Sequence, residues 1–168
     1  MAAPPLYTQA EHARRDASPW TRVQGILAPT QLLLCVVSVV LVVRFLRTGD
    51  GLGAAHASVV AKTVALYAIM VTGSLWERDV FGRYLFAPVF FWEDVVSMVV
   101  LALHTAYLVA LATGGLSPRP LMLLALAAYA AYAINATQFL LKLRRARISR
   151  QIDLADPATA AVVPTRPA

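Results

Sequence analysis

Long stretches without charge decide what this chain can fold into. Between Arg22 and Arg44, 21 residues carry no charge, and three further stretches of 22 to 26 residues contain Lys62 as their only charged residue. A helix needs roughly 20 apolar residues to cross the hydrocarbon layer of a membrane, and its backbone groups must then be hydrogen-bonded within the helix. The sequence therefore predicts four membrane-spanning helices, near residues 23–45, 55–76, 90–111 and 121–141.

The overall composition agrees with this prediction. Hydrophobic residues make up 59% of the 168 residues and charged residues 14%, whereas a soluble domain carries about 25% charged residues. Such a chain has too little charge to cover the surface of a soluble enzyme and is too apolar to stay disordered. Short connections between the spans indicate a compact four-helix bundle. The predicted fold class is therefore an all-α integral membrane protein.

The regions outside the spans divide the chain into three parts. Residues 1–22 form an N-terminal segment, in which the capping-box pattern of Thr8 and Glu11 predicts a short surface helix. Residues 23–141 form the four-helix transmembrane domain. Residues 142–168 are predicted to be a tail that is first basic and then, after Arg150, disordered, because Ala, Pro and Val dominate there.

Lysine and arginine residues beside the spans predict the orientation. Ten of them flank the membrane on the side shared by the two termini and the second loop, and three flank it on the other side. Because basic flanks favour the cytoplasm, both termini are expected to be cytoplasmic. The basic residues 142–150 fit anchoring on the anionic lipids of the bilayer better than binding to nucleic acid, so no nucleic-acid partner is expected.

The sequence lacks the common motifs of cofactor chemistry. It has one cysteine, Cys35, and no GxGxxG, P-loop, HExxH or CxxC pattern. One cysteine builds no disulfide or zinc cluster within the chain, and the missing motifs leave nucleotide-dependent and zinc-protease chemistry without support. The simple reactions that remain are hydration, dehydration, isomerisation and hydrolysis.

The third span carries several ionisable side chains, which are costly inside a membrane and therefore indicate function. Glu93 and His104 are eleven residues apart, so they differ by about 20° around a helix and share one face, on which Ser97 also lies. Asp94 diverges from Glu93 by about 100°. We therefore expect only one of the two adjacent carboxyl groups to face the centre of the bundle.

Polar residues of all four spans are predicted to converge in the cytoplasmic half of the bundle, because neighbouring antiparallel helices alternate in direction. The converging side chains are Gln24, Gln31, Glu77, Glu93, Asp94, Asn135 and Gln138. A simpler interpretation is that the amide side chains only form hydrogen bonds between helices. Likewise, His104 fits a satisfied buried histidine, and Lys62 fits a lysine that pairs with a carbonyl group or extends toward the periplasm.

Several segments carry a resemblance to a known family. They are KTVALYAIMVTGSLWE at 62–77, FGRYLFAP at 81–88, WED at 92–94 and INATQFLLK at 134–142. FGRYLFAP and WED are the most specific of them. Over about residues 6–147, the chain closely resembles the 3-vinyl bacteriochlorophyllide hydratases of phototrophic bacteria.

The resemblance implies an activity and a setting. It implies hydration of the ring-A vinyl group of chlorophyllide a, or of its bacteriochlorophyllide counterpart, to a 1-hydroxyethyl group in bacteriochlorophyll synthesis. It further implies that no redox cofactor is needed, that the substrate carries its own magnesium, and that the protein lies in the bacterial inner, photosynthetic membrane. Other enzymes of the same pathway are expected partners, whereas the oligomeric state and the preferred tetrapyrrole stay open.

The chemistry of hydration suggests roles for the acidic residues. Adding water to a vinyl group begins with protonation of its terminal carbon, and a carboxylic acid that stays protonated in an apolar site is a competent proton donor. An ionised carboxylate nearby would stabilise the resulting cation and take a proton from the water. The catalytic candidates are Glu77, Glu93 and Asp94, and Glu93 is the expected donor because it shares a helix face with Ser97 and His104.

Other side chains are candidates for binding the substrate. We expect Asn135, Gln138 or Gln31 to hold the attacking water, Arg83 or Arg78 to pair with the substrate propionate, and His104 to ligate the substrate magnesium or bond to the ring. No metal site of the protein itself is expected. The complete set of substrate-binding candidates is His104, Trp92, Asn135, Gln138, Gln31, Arg83 and Lys62.

Two other functions fit the same residues. A non-catalytic pigment-binding or assembly protein would also use a buried histidine and aromatic belts. A small transporter would use Lys62, Glu93 and His104 as a relay. A hydratase converts added chlorophyllide into a product heavier by one water, whereas a carrier returns the pigment unchanged.

Overall fold

The structure is a computed structural model, and it describes residues 6–155. Its helices are α1 (Gln9–Ala17), α2 (Pro19–Thr48), α3 (Leu52–Phe81), α4 (Phe91–Thr113) and α5 (Pro118–Ala155). Within this part of the chain there is no strand. Four helical segments are long and apolar enough to cross a membrane, namely α2, α3, α4 and Pro118–Arg145 of α5. The prediction of an all-α protein with four membrane-spanning helices is confirmed.

The four long helices form a bundle from two pairs. α2 packs along α3 and α4 packs along α5, and contacts of α2 with α5 and of α3 with α4 close the bundle. Val42, Tyr107 and Met122 are fully buried in its core. On the outer faces, Leu33 and Leu140 are 65% and 64% exposed. Because the outer surface is as apolar as the core, it is suited to contact with lipid tails.

One end of the bundle gathers most of the acidic side chains. We call it the acidic end, because Glu77, Glu93 and Asp94 are buried there. It contains the start of α2, the end of α3, the 82–90 loop, the start of α4 and the later part of α5. The opposite end contains the turns at 49–51 and 114–117. The N-terminal segment and the later part of α5 therefore lie at the same end of the bundle.

Glycine and proline mark the helix boundaries as the sequence predicts. Gly49, Gly82 and Gly114 follow α2, α3 and α4 with φ angles of 82°, 77° and 64°, in the left-handed region that favours glycine after a helix. Pro19 occupies the start of α2, where its missing N–H costs nothing. Ser18 does not cap α2 with its side chain, because its hydroxyl group donates to Asp79 Oδ2 at the end of α3 over 2.7 Å.

The short helix α1 closes the acidic end from outside. The predicted capping box is confirmed, since Glu11 N–H donates to Thr8 Oγ1 over 3.3 Å and Thr8 N–H donates to Glu11 Oε2 over 2.7 Å. Arg14 Nε donates to the Val80 carbonyl oxygen over 2.8 Å. Tyr7 is 3% exposed, and this burial raises the pKa of its hydroxyl group to about 12. The surface helix is thus bound to the end of α3 by specific contacts.

The last helix extends beyond the predicted fourth span. The sequence predicts that the span ends near residue 141 and that disorder begins after Arg150, whereas α5 continues to Ala155. Residues 121–156 contain neither glycine nor proline and are rich in Ala, Leu and Arg, which favour helix. The rest of the predicted tail, residues 156–168, lies outside the described residues.

Candidate functional site

Two carboxyl groups meet at the acidic end. Glu77 lies in the last turns of α3 and Asp94 in the first turn of α4, and they are 5% and 3% exposed. The backbone N–H groups of two successive residues, Phe86 and Ala87, bind one carboxyl group each, so the two groups are neighbours. Because two neighbouring carboxylates in an apolar interior repel each other, one of the two groups keeps a proton. The Glu77–Asp94 pair therefore combines one carboxylic acid with one carboxylate.

The 82–90 loop supplies backbone donors to this pair. Phe86 N–H donates to Asp94 Oδ2 over 2.8 Å, and Ala87 N–H donates to Glu77 Oε2 over 3.2 Å. Phe86 has a φ angle of 59°, which is uncommon for a residue with a bulky side chain. A conformation of this kind costs on the order of 1–3 kcal/mol and is found preferentially at functional sites. The loop accepts this strain and aims two successive N–H groups at the two carboxyl groups.

Glu93 belongs to a separate ion pair. Lys142 Nζ of α5 lies 2.6 Å from Glu93 Oε2, and the same ammonium group donates to the Val89 carbonyl oxygen. It also lies 5.0 Å from the centroid of the Phe90 ring. Sequence reasoning did not include Lys142 in the site, although it is on the same stripe of its helix as Asn135. The ion pair makes Glu93 a carboxylate, in contrast to the proton-sharing pair beside it.

Both adjacent acids of α4 are buried. Glu93 is 8% exposed and Asp94 is 3% exposed, so the expectation that only one of them faces the interior is wrong. The difference arises at the first turn of α4, where the bundle surrounds the helix on two sides. The 82–90 loop and α3 cover Asp94, and α5 covers Glu93. Two directions about 100° apart are therefore both interior directions at this position.

Buried amide groups lie one or more turns from the acids. Asn135 Nδ2 donates to Ser97 Oγ over 2.7 Å, which agrees with the interpretation of an interhelical hydrogen bond. Asn135 Oδ1, Gln31 Nε2 and Gln138 Oε1, however, are buried without a hydrogen-bonding partner among the described residues. Buried polar atoms in proteins usually have a partner. These three atoms are thus available to a water molecule or a substrate.

A second cluster of ionisable groups lies deeper in the bundle. Lys62 and His104 are fully buried, and Lys62 Nζ lies 2.8 Å from His104 Nε2. The ammonium group also lies 4.1 Å from the centroid of the Tyr132 ring and 5.6 Å from that of Tyr129. Tyr129 OH in turn lies 2.6 Å from Ser38 Oγ of α2. These residues form the lysine–histidine cluster, to which all four long helices contribute.

The hydrogen bonds of His104 assign its tautomer. Nδ1 lies 2.8 Å from the Val100 carbonyl oxygen, which only accepts, so Nδ1 carries the hydrogen and Nε2 accepts from Lys62. The lone pair that would ligate magnesium is thus occupied by Lys62. Ligation of the substrate magnesium by His104 stays a prediction, and it requires Lys62 to turn away. Among residues 6–155, no group of three His, Cys, Asp or Glu side chains is arranged to hold a metal ion.

The predicted site residues thus fall into three groups. Trp92 and Arg83 are exposed at the acidic end, beside the three carboxyl groups. His104 is eleven residues along α4 from Glu93, roughly 16 Å at 1.5 Å per residue, and Lys62 of α3 contacts His104. The amide side chains occupy the interior between or beside these two clusters.

Comparison with known proteins gives these groups a context. The family model for 2-vinyl bacteriochlorophyllide hydratase matches residues 7–145. The chain belongs to this family. A relative from Rhodobacter capsulatus, named 2-vinyl bacteriochlorophyllide hydratase, is 65% identical over 144 residues, which cover 85% of this chain and 83% of the relative. A relative of the same name from Cereibacter sphaeroides is 60% identical over 147 residues, which cover 87% of this chain and 91% of the relative.

The family membership confirms the resemblance that the sequence segments carry. No solved structure matches the chain. The family name describes a reaction and says nothing of the geometry of the acidic end. The two most specific segments, FGRYLFAP at 81–88 and WED at 92–94, form the loop and the first turn of α4 that hold the carboxyl groups. The segments that define the resemblance are therefore the segments that build the candidate site.

Proposed function

We propose that this chain adds water to the ring-A vinyl group of chlorophyllide a, or of its bacteriochlorophyllide counterpart, and forms the 1-hydroxyethyl group. The observation that carries the proposal is the arrangement of two buried, neighbouring carboxyl groups beside a third carboxyl group that is paired with Lys142. Acid-catalysed hydration needs one group that gives a proton and another that takes one. The names of the two relatives describe the same reaction class.

The first step is protonation of the terminal vinyl carbon. The protonated member of the Glu77–Asp94 pair gives its proton as the carbon–carbon π bond breaks. The inner carbon becomes a cation, which the conjugated macrocycle stabilises. The sequence favoured Glu93 as the donor, but its ion pair with Lys142 leaves it without a proton to give. We therefore assign donation to Glu77 or Asp94.

The second step is attack by water on the inner carbon. A new carbon–oxygen bond forms, and the Glu93 carboxylate takes one proton from the attacking water. Asn135 Oδ1, which has no hydrogen-bonding partner within residues 6–155, accepts a hydrogen bond from the same water, because Asn135 lies beside Ser97. Transfer of the proton from Glu93 back to the Glu77–Asp94 pair restores the starting state. The sum is one vinyl group and one water consumed, and one alcohol formed.

The remaining substrate contacts are part of the proposal. Arg83 and Trp92 bind the pigment at the acidic end, and Gln31 and Gln138 are further candidates for holding water. The binding roles of Lys62 and His104 stay predictions. The reaction as written transfers protons only, so it needs no redox cofactor.

We also propose that the protein lies in the photosynthetic membrane with its acidic end toward the cytoplasm. The asymmetry of ten basic flanking residues to three supports this orientation. Reporter fusions after Arg150 and within 78–83 are expected to report the cytoplasm, and fusions near Gly51 or Ser117 the periplasm. A periplasmic signal after Arg150 would reverse the assignment.

The decisive experiment is turnover by the purified protein. Chlorophyllide a is incubated with the protein in detergent and in ¹⁸O-labelled water, and the pigment is analysed by mass spectrometry. The expected product is heavier by one water and carries the labelled oxygen, with no requirement for dioxygen or a reductant. Return of unchanged pigment would favour a pigment-binding protein, and dependence on dioxygen would indicate an oxygenase.

A further inference from the structure

The acidic end carries a group of exposed aromatic rings. Tyr84, Phe86, Phe91 and Trp92 are 52%, 38%, 43% and 70% exposed, and we call these four residues the aromatic surface. The centroids of Phe86 and Phe91 are 5.8 Å apart, and those of Phe91 and Trp92 are 5.5 Å apart. The rings of Phe86, Phe91 and Trp92 thus form one contiguous surface and are not scattered single residues, which would need no explanation. Tyr84 is exposed in the same loop as Phe86.

This surface is directly connected to the carboxyl pair. The backbone N–H of Phe86 donates to Asp94 Oδ2 over 2.8 Å, so the residue that presents one ring also holds the acid. Phe91 precedes Asp94 by three residues in α4, a spacing that puts two side chains on neighbouring positions of one helix face. A ligand that lies on the rings is therefore next to the proton-sharing pair.

Positive charge borders the same rings. The guanidinium carbon of Arg78 lies 4.9 Å from the centroid of the Tyr84 ring, and Arg83 is exposed in the loop between that ring and α3. Within the described part of the chain, the ion pairs involve Arg15 with Asp16 and Lys142 with Glu93, and neither Arg78 nor Arg83. The two guanidinium groups are thus available to an anionic ligand.

We propose that the aromatic surface, together with Arg78 and Arg83, is the docking site for the face of the planar tetrapyrrole substrate, whose propionate carboxylate the two arginines bind. The proposal rests on the proposed function, because that function supplies a ligand with a large π face and one carboxylate. Aromatic rings bind a π face by stacking or edge contacts, and a guanidinium group matches a carboxylate in bidentate geometry. Lipid tails offer neither feature.

The positions of the two arginines and the aromatic surface explain how one ligand reaches the carboxyl pair. Arg78 contacts the Tyr84 ring, the Phe86 ring contacts the Phe91 ring, and the Phe86 N–H contacts Asp94, so a flat ligand that lies on these groups is close to the carboxyl pair. The substrate then enters from the membrane surface and does not pass through the bundle interior. The alternative is that the rings only anchor the protein at the membrane interface, where aromatic residues are common.

Equilibrium binding without turnover separates these possibilities. The hydroxyethyl product, which has no vinyl group, is titrated into the protein in detergent, and its absorbance shift gives the dissociation constant. We expect the Arg78→Gln/Arg83→Gln variant to weaken binding by ~10- to 100-fold, the range of a hydrogen-bonded charge. Phe91→Leu and Trp92→Leu are each expected to weaken it by ~2- to 10-fold, which is the contribution of one aromatic contact. Arg44→Gln, at an exposed arginine of the opposite end, is the matched control and should bind like the wild type.

A change in the ligand tests the same contact without any mutation. The methyl ester of the propionate is expected to bind the wild type ~10- to 100-fold more weakly than the free acid. In the Arg78→Gln/Arg83→Gln variant, acid and ester should bind equally. Equal binding of acid and ester by the wild type would overturn the carboxylate contact, even if a variant failed to fold.

The outcomes distinguish this proposal from the proposed function. If the ring variants bind the product as tightly as the wild type but melt at a lower temperature, the rings are interface anchors and the docking site is wrong, whether or not the protein hydrates pigment. If binding weakens as expected but the wild type never converts chlorophyllide, the docking site stands and the hydratase assignment fails.

Discussion

The acidic end and the lysine–histidine cluster both place ionisable groups inside an apolar bundle, but they do so in different ways. At the acidic end, a loop covers Glu77 and Asp94 with backbone N–H groups and leaves exposed rings beside them. In the lysine–histidine cluster, Lys62 and His104 bind each other, His104 also donates to the Val100 carbonyl oxygen, and both side chains are fully enclosed. The first arrangement is within reach of a ligand at the bundle surface, and the second is sealed.

The two regions also reduce the free-energy cost of buried charge in different ways. An isolated charge in an apolar interior costs several kcal/mol. The acidic end reduces this cost because a proton on one of the two neighbouring carboxyl groups, Glu77 or Asp94, removes one charge, and because Glu93 is paired with Lys142. In the lysine–histidine cluster, no carboxylate of the described residues contacts Lys62, and the partners are an imidazole and the face of Tyr132. We therefore expect the acidic end to carry the chemistry and the lysine–histidine cluster to join the helices.

The largest expected effect is loss of turnover when the proton-sharing pair is changed. Asp94→Asn and Glu77→Gln remove the acid that donates to the vinyl group, and each should lower the rate by ~10²–10⁴-fold. Initial rates of pigment hydration, with the product binding constant as a check on folding, measure the effect. Asp50→Asn, at an exposed carboxyl group of the opposite end, serves as the control. Near-normal turnover in both variants would remove this pair from the mechanism.

The next effect concerns Lys142, which the sequence did not single out as part of the site. Lys142→Met leaves Glu93 without its charged partner, so turnover should fall by ~10-fold or more, whereas Lys142→Arg retains a cation and most of the rate. Because both residues act as one unit, the double variant with Glu93→Gln should be no worse than Glu93→Gln alone. Losses that multiply in the double variant would show that Lys142 acts independently of Glu93.

The lysine–histidine cluster should respond in stability and not in catalysis. His104→Leu leaves the Lys62 ammonium group buried without its hydrogen-bonding partner, and we expect a cost of ~3–5 kcal/mol. Lys62→Met removes the charge itself and leaves one imidazole nitrogen unpaired, with an expected cost of ~1–3 kcal/mol. Thermal unfolding in detergent measures this order, and turnover per folded molecule should stay close to that of the wild type. A selective loss of pigment binding in either variant would instead support the predicted substrate contact of these residues.

Helix periodicity explains which of these features could be predicted from the sequence. It gives the direction of a side chain within one helix, so the spans, the stripe of Glu93, Ser97 and His104, and the capping box at Thr8 all follow from local spacing. It does not give the register between helices. The ion pair of Glu93 with Lys142 joins residues 49 positions apart, and only the packed bundle brings them together.

The backbone conformation of the 82–90 loop could not be predicted from the sequence either. Nothing in the spacing of the 82–90 loop indicates that Phe86 adopts a φ angle of 59°. The same loop covers Asp94, whereas Lys142 of α5 covers Glu93, so both acids are buried, contrary to the expectation from helix angles alone. The family resemblance marked this loop as specific, but it did not state what the loop does.

The smallest expected effect concerns α1, which covers the acidic end and not the lysine–histidine cluster. Thr8→Ala removes the N-cap of α1 and should reduce its local stability by ~1 kcal/mol, with little change in global unfolding. Hydrogen-exchange protection of amides within Gln9–Ala17, corrected for intrinsic rates, measures this change. Thr48→Ala, at an exposed threonine that bonds to its own helix, is the matched control.

The pH dependence of α1 follows from the same contact. The backbone hydrogen bond from Thr8 holds the pKa of the Glu11 carboxyl group below its ordinary value of 4.5. The unfolded segment therefore binds more protons than the folded one in this range, so the contribution of Glu11 is present above pH 4.5 and is lost as the pH falls through the lowered pKa. Protection of α1 in the wild type should decline over that acidic range, and Glu11→Gln should flatten the decline. Because Glu11 lies mostly in solvent, the change should stay confined to α1, and a simultaneous loss of protection in α3 would show that α1 supports the acidic end more strongly than its few contacts indicate.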